Sequence, residues 1–240
     1  MTKLTIKDYI LKYSKEKSYF HLDEIKNYLV ENQINFKQDT LKKYIYILKK
    51  EKIYYSAGRG WYSTVEKEFK LDKQPIEDIV QLIHSKYPLL DFSCWSTEQI
   101  KGYFQHLPSQ FVTFIYSDVD YLSTIKDFLI EKNYNVYLNP HKQEIEKFVE
   151  LKNRTNIILR PSVLGRIIRE NSFDSIEKIL VDLFIEIERI NLINQNEYLE
   201  IIANILLNNR INISEMIDYA YNRKIVSKIN KILKEVREIH

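Results

Sequence analysis

The sequence predicts a mixed α/β (α+β) fold in two parts: a small helix-and-hairpin module at 1–70, and an α/β domain at 75–240 that ends in a bundle of helices. Three observations predict it. Residues 37–62 (KQDTLKKYIYILKKEKIYYSAGRGWY) read as one amphipathic helix running straight into a tight hairpin. From Leu89 onward, β-prone runs alternate with helical stretches of about ten to fifteen residues, the pattern of strands joined by helical crossovers. Beyond Asp174 only helical periodicity remains. With four glycines and five prolines in 240 residues, long helices with few sharp loops are expected.

In chain order, Thr5-x-x-Asp8 is a capping-box start, and Ile6, Tyr9, Ile10 and Tyr13 form one apolar stripe over 5–16. Ser18, Tyr19 and Phe20 make a brief extended piece. A second amphipathic helix at 22–32 turns Leu22, Ile25 and Leu29 inward, and 33–36 forms a turn. The third helix carries Leu41, Tyr44/Ile45 and Leu48 at the three-and-four spacing of a half-buried helix. Either Asn35, paired with Gln38, or Asp39 caps it. Strands at 53–57 and 61–64 then flank Gly58-Arg59-Gly60, a turn whose glycines allow positive φ. Helix, short strand, helix, turn, helix and hairpin is the order of a winged helix-turn-helix.

Residues 65–74 are charged and aperiodic, a connector. Pro75 suits a helix start, and Ile76, Ile79, Val80 and Ile83 give that helix a buried stripe up to Tyr87-Pro88. A strand at 89–95 leads into a capping box, Ser96-Thr97-Glu98-Gln99, and a helix to His106. A β-prone run at 110–116, a helix at 119–133 and a strand at 134–138 follow. Next come a helix at 141–151, a strand at 155–160 and an irregular or loosely helical segment at 161–172. Asp174-x-x-Glu177 caps a long helix. Helices at 198–209, 212–222 and 225–239 complete the chain.

Charge separates the two parts. Residues 1–70 hold 15 Lys/Arg and 9 Asp/Glu, a balance of +6; the rest hold 36 − 15 = 21 and 33 − 9 = 24, a balance of −3. Positive charge confined to one module points to a polyanion partner for that part, with a solvated lysine-rich surface as the equally weighted alternative on charge alone. One cysteine, Cys94, excludes an internal disulfide and any multi-cysteine metal site. The N-terminus has no apolar core of a signal peptide, and no uncharged run nears the roughly 18 residues of a spanning helix. The expectation is a cytoplasmic protein that does not engage the membrane.

On the third helix, residues near its N-terminus are placed for base edges and later lysines for phosphates. Gln38, Thr40, Lys42, Lys43 and Tyr46 are the groove candidates, with Lys37 and Lys50 on the backbone. Arg59 at the hairpin tip suits the minor groove or a phosphate. A protein-binding winged helix is the alternative. Arg160, Arg166 and Arg169 form a candidate second anion site, because arginine's planar fork suits phosphate; pairing with Glu170, Glu177 or other carboxylates is the competing reading. No phosphate loop, nucleophile elbow or metal-spaced histidine set is present, so no enzymatic activity, cofactor or metal is expected. A metal-dependent nuclease or other nucleic-acid enzyme with a winged-helix targeting head is a further alternative, resting on Glu150-x-Lys152 after Asp118 and Asp120, a triplet that chance supplies readily in a chain this charged.

Several segments carry a family resemblance: Gly58-Arg59-Gly60-Trp61, the run from Asp91 to Thr97 (DFSCWST), IILRP at 157–161, SIEKILVDLF at 175–184 and ISEMIDYAYNR at 213–223. In this order the chain resembles the AbiEi-type antitoxins, transcriptional regulators of bacterial abortive-infection and type IV toxin–antitoxin loci. The resemblance implies a repressor that reads an inverted repeat of double-stranded DNA in its own promoter. It also implies a functional link to a nucleotidyltransferase-like toxin without a stable complex. It supplies no catalytic residue. High Tyr and Lys content, and the lack of a proline near Ser175, are departures from the family pattern.

Overall fold

The structure, a computed structural model, describes residues 4–108, 110–141, 144, 155–163 and 169–239. It has the mixed α/β class and the helical C-terminus that the sequence predicts. The chain divides into two compact units. The first comprises Met1–Phe69, Ile202–Asp218 and Ile225–His240, and the second Lys70–Ile201 and Tyr219–Lys224. The sequence draws the line differently, with 1–70 as one domain and 75–240 as the other, because no local signal shows a chain returning to its beginning.

In the first unit, α1 (Ile6–Ser14), β1 (Tyr19–His21), α2 (Leu22–Glu31), α3 (Gln38–Lys50), β2 (Tyr55–Ser56) and β3 (Trp61–Ser63) follow one another in the expected order. The Thr5/Asp8 capping box forms, satisfying two backbone donors at the start of α1. By contrast, neither Asn35 nor Asp39 caps α3: Lys37 is its N-cap and makes no side-chain bond there. Burial of Leu41, Ile45 and Leu48 holds this helix instead, as tertiary packing commonly does. These three join Ile10, Phe20, Ile25, Leu29 and Tyr54 in one apolar core. The strands form an antiparallel sheet in the order β1-β3-β2, with Tyr19 opposite Ser63 and Ser56 opposite Tyr62. The first hairpin strand is shorter than the expected 53–57, since Ile53 and Tyr54 bond back to Leu48 at the helix end.

The C-terminal part of the first unit closes onto this sheet. The buried Tyr19 hydroxyl donates to the Asn209 carbonyl at 2.6 Å and accepts from the Ile211 amide at 2.9 Å. Arg210 bridges to Glu68 by exchanging backbone hydrogen bonds with Lys67 and Phe69. A residue 190 positions away thus satisfies the polar end of a tyrosine whose ring is buried.

The second unit is built on a six-stranded sheet in the order β6-β7-β5-β4-β9-β8. Its strands are β4 (Phe92–Ser96), β5 (Val112–Ser117), β6 (Asn135–Leu138), β7 (Asn156–Pro161), β8 (Arg169–Glu170) and β9 (Phe173–Asp174). Helix α4 (Gln74–Lys86) precedes β4, and α5 (Val119–Glu131) provides the crossover from β5 to β6. β5, β7 and β6 run parallel, and β4 is antiparallel to β5. Side chains alternate between the faces. Phe92, Cys94, Ile115, Ile157 and Leu159 share a core with α4 and α5. Ser93, Trp95, Phe114, Tyr116, Ile158 and Arg160 occupy the other phase of the pleat.

Two local expectations change here. The Ser96/Gln99 capping box forms, but it opens a 3-10 helix at Thr97–Tyr103 and not an α-helix to His106. The expected irregular segment at 161–172 contains β8, which pairs with β9 as an antiparallel hairpin. The helix expected at 141–151 falls, but for His141 and Glu144, outside the described residues. The C-terminal helices are α6 (Ile176–Ile190), α7 (Gln195–Asn208), α8 (Ile213–Asn222) and α9 (Val226–Ile239). Ser175 caps α6 by accepting from the Lys178 amide, so the expected cap, Asp174, is released for another task.

Candidate functional site

In the first unit, α3 turns one face to solvent. Opposite the buried Leu41, Ile45 and Leu48, the residues Gln38, Asp39, Lys42, Lys43, Tyr46, Lys49 and Lys50 are exposed, as is the N-cap Lys37. The spacing Asp39, Lys42/Lys43, Tyr46, Lys49/Lys50 is the complement of the buried stripe, and follows from 3.6 residues per turn. Thr40 is half-buried at the edge of this face. The Lys50 ammonium lies 5.0 Å from the centre of the Tyr46 ring, so the exposed aromatic is held beside a cation. Lys49 belongs to the same stripe and escaped the sequence argument, although its spacing from Tyr46 contains the signal. Lysines in the last turn also suit the negative end of the helix dipole.

The hairpin turn follows. Gly58 and Gly60 both have positive φ, +112° and +77°, and Arg59 between them is exposed. Lys37, Gln38, Lys42, Lys43, Tyr46, Lys50 and Arg59 are therefore all solvent-facing side chains of the first unit.

The arginine trio behaves differently. Arg160 is buried on β7, and its guanidinium is occupied internally. It donates through Nε and Nη2 to the two oxygens of Glu186, and through Nη1 to the Asn139 side chain and the Pro140 carbonyl. A fork already holding a buried carboxylate is not offered to an external anion, so the competing reading of carboxylate pairing applies to Arg160. Arg169 is the first residue of β8, and Arg166 lies outside the described residues. Glu150 and Lys152 also lie outside them. Asp118 caps α5, its side chain accepting from the Asp120 amide at 3.1 Å.

A buried charged cluster in the second unit is the feature that sequence reasoning missed. Lys178 on α6 is 2 % exposed and donates to Asp174 at 2.7 Å and to Asp182 at 2.8 Å. Its ammonium also sits 4.0 Å from the Tyr116 ring centre. Asp182 accepts from Tyr219 and pairs with Arg223 at 2.8 Å, while Arg223 donates to the Tyr219 hydroxyl at 3.1 Å. Burial alone would push the Lys178 ammonium down. Asp174 and Asp182 outweigh it and raise the group above its ordinary value. Asp174 is raised by burial, with Lys178 pulling against the shift. Two carboxylates thus balance two cations.

With those charges matched, the cluster is a polar core and not a receptor for a charged ligand. The Trp95 indole nitrogen and the Tyr116 hydroxyl are buried without a hydrogen-bond partner among the described residues. A legible signal did exist: Asp174, Lys178, Asp182 and Glu186 recur every four residues, a charged stripe that starts just before α6 and continues along a helix otherwise rich in Ile and Leu. Among the described residues no group of three or more His, Cys, Asp or Glu is placed to hold a metal ion. No helix there is long and apolar enough to cross a membrane. Cys94 is buried, and burial pushes its thiol well up, which removes it from nucleophilic chemistry.

Fold and surface together define a two-unit α/β protein with a solvent-facing basic helix on one unit and a self-neutralised charged core in the other. The chain belongs to a family of unknown function, DUF6577, whose family model matches residues 40–238. The match begins inside α3 and takes in the hairpin and the whole second unit. No curated protein matches the chain.

Proposed function

We propose that this protein is a sequence-specific, double-stranded-DNA-binding transcriptional regulator, with α3 as its recognition helix in a winged helix-turn-helix head. The observation that carries this reading is the exposed face of α3. Lys37, Lys42, Lys43, Lys49 and Lys50 stand on it against the single acid Asp39, while the opposite stripe is buried in the head's core. Helix, strand, helix, helix and hairpin, closed by a small antiparallel sheet, supports placing that helix in a major groove. Gln38 is suited to adenine, and Lys42 and Lys43 to guanine or to phosphates.

The resemblance to AbiEi-type antitoxins gives the regulatory role its direction: repression of its own operon through an inverted repeat, opposite a nucleotidyltransferase-like toxin. Two of the segments that carry that resemblance, 175–184 and 213–223, meet inside the second unit through Asp182, Tyr219 and Arg223. They support a shared core, and the DNA-binding role rests on α3.

The test is a titration of the full chain with a duplex taken from upstream of its own reading frame, over a range of salt. Lys42→Ala and Lys43→Ala should each weaken binding, and the salt slope should flatten by about 0.9 for every phosphate that is no longer neutralised. No binding by the unaltered protein at low salt sinks the reading.

A further inference from the structure

The hairpin tip of the first unit is not a free loop. The Arg59 amide donates to the Ser214 hydroxyl at 2.9 Å, and the Ile213 amide donates to the Ala57 carbonyl at 2.8 Å. Ser214 in turn donates to the Asn212 side chain at 2.9 Å, and Asn212 accepts from the Glu215 amide at 3.3 Å, capping the first turn of α8. A Cβ placed on Gly58 would stand 2.2 Å from the Asn212 oxygen and 2.3 Å from Ser214 Oγ, so the backbone of the turn lies directly on this cap. Just before this helix start, the Tyr19 hydroxyl holds Asn209 and Ile211 against β1. The clasp grips the backbone of Arg59 and leaves its side chain exposed.

We propose that the helix start at Asn212–Ser214 is a positioning clamp that fixes the hairpin so that Arg59 meets a phosphate of the duplex bound by α3. Ser214 and Asn212 thereby act on DNA binding through Arg59, about 155 positions away in sequence, without touching DNA themselves. This rests on the DNA-binding reading above. Physically, a long side chain on a two-strand hairpin contributes little if the hairpin must be ordered on binding, because the ordering entropy offsets the gain. A turn already held by two hydrogen bonds from a helix start removes that cost.

The experiment is a double-mutant cycle on the full chain, using a labelled upstream duplex over a salt series. Arg59→Ala should weaken binding and lower the salt slope by about 0.9, the value for one neutralised phosphate. Ser214→Ala should lower the slope by the same step, and the double variant should lose nothing further, the non-additivity of groups acting as one. Ser214→Thr, which keeps the hydroxyl, should restore both affinity and slope. A merely structural role for Ser214 would lower affinity with the slope unchanged, and that result overturns the clamp. So do additive losses. Should Ser214→Ala not fold, Asn212→Ala, which removes the acceptor that orients Ser214, must show the same coupling to Arg59; independence overturns the clamp. If Lys42→Ala weakens binding while neither Arg59→Ala nor Ser214→Ala does, the clamp fails and the DNA-binding reading stands. If the unaltered chain binds no duplex, both fail.

Discussion

The Tyr219 hydroxyl donates to the Asp182 carboxylate at 3.0 Å, joining the end of α8 to the middle of α6 across 37 positions of sequence. The same carboxylate holds Lys178 and Arg223. Removing it leaves the Arg223 guanidinium without a carboxylate and Lys178 with Asp174 alone, one buried cation in excess. Asp182→Ala should therefore cost about 3–5 kcal/mol, the penalty for leaving a buried charge uncompensated. Tyr219→Phe should cost only about 1 kcal/mol, since Arg223 and Lys178 keep their carboxylate. The chain has two tryptophans, Trp95 in the second unit and Trp61 in the first. Urea unfolding followed by Trp95 fluorescence in a Trp61→Phe background reads this difference from the unit concerned. Equal losses for the two variants would show that the charges are not what Asp182 holds in place.

The same cluster sets an alkaline limit. Lys178 has a folded-state pKa raised above its unfolded value, against the effect of burial, by Asp174 and Asp182. Its contribution is complete below about pH 10 and is lost as pH rises through the folded value. Tyr116, Tyr198 and Tyr219 are raised by burial, so each phenol resists ionisation in the fold and adds a loss of the same sign. Thermal melts between pH 8 and pH 11, as an order-of-magnitude window around the Lys and Tyr reference values, should show stability falling steeply above about pH 10. Tyr219→Phe should make that fall shallower.

How far these features are legible in the sequence follows from the physics of each. α3 and its hairpin can be read because both rules are local: a three-and-four apolar spacing, and glycines where φ must be positive. The alternation of strands and helices in the second unit is legible for the same reason. The cap of α3 is not, because Lys37 takes that position through tertiary burial of Leu41 and Ile45 rather than by side-chain chemistry. The return of Asn209–Ser214 to the sheet and hairpin is equally silent, being made by backbone groups and by two hydroxyls, of Tyr19 and Ser214, that nothing local marks out. Arg160 shows the opposite failure. Its chemistry suits phosphate, but only the fold shows that β7 carries it inward to Glu186. The stripe from Asp174 to Glu186 was visible as spacing; what hid it is the ordinary rule that charges on a helix face water.

The proposed interface makes a distinction between two residues of α3. Gln38 sits in the first turn, where side chains reach base edges, whereas Lys50 closes the last turn beside Tyr46. Gln38→Ala should relax discrimination at one position of the site by about 1–3 kcal/mol, with the salt slope unchanged. Lys50→Ala should weaken every sequence alike and lower the slope by about 0.9. Binding to a panel of single-base-pair variants of the duplex separates the outcomes. A Gln38→Ala protein with an intact preference would move the reading face to Lys42 and Lys43.

Gly58 gives a prediction for the first unit that does not depend on DNA. Its φ of +112° lies where L side chains are strained, and a Cβ there would meet the Asn212 and Ser214 oxygens at 2.2 and 2.3 Å. Gly58→Ala therefore combines backbone strain of about 1–3 kcal/mol with displacement of the α8 start. Asn212→Gly relieves the closer of the two approaches, the one to its side-chain oxygen, and leaves the strain. The single Gly58→Ala variant should lower the melting temperature read from Trp61, which directly follows the turn and packs beside His21. The Gly58→Ala/Asn212→Gly pair should recover part of the loss, because touching residues are the case in which two effects fail to add. If the pair is as damaged as the sum of its members, the backbone conformation alone explains the glycine and the close approach to α8 does not. If Gly58→Ala melts like the unaltered chain, the hairpin does not rest on Asn212 and Ser214 in solution.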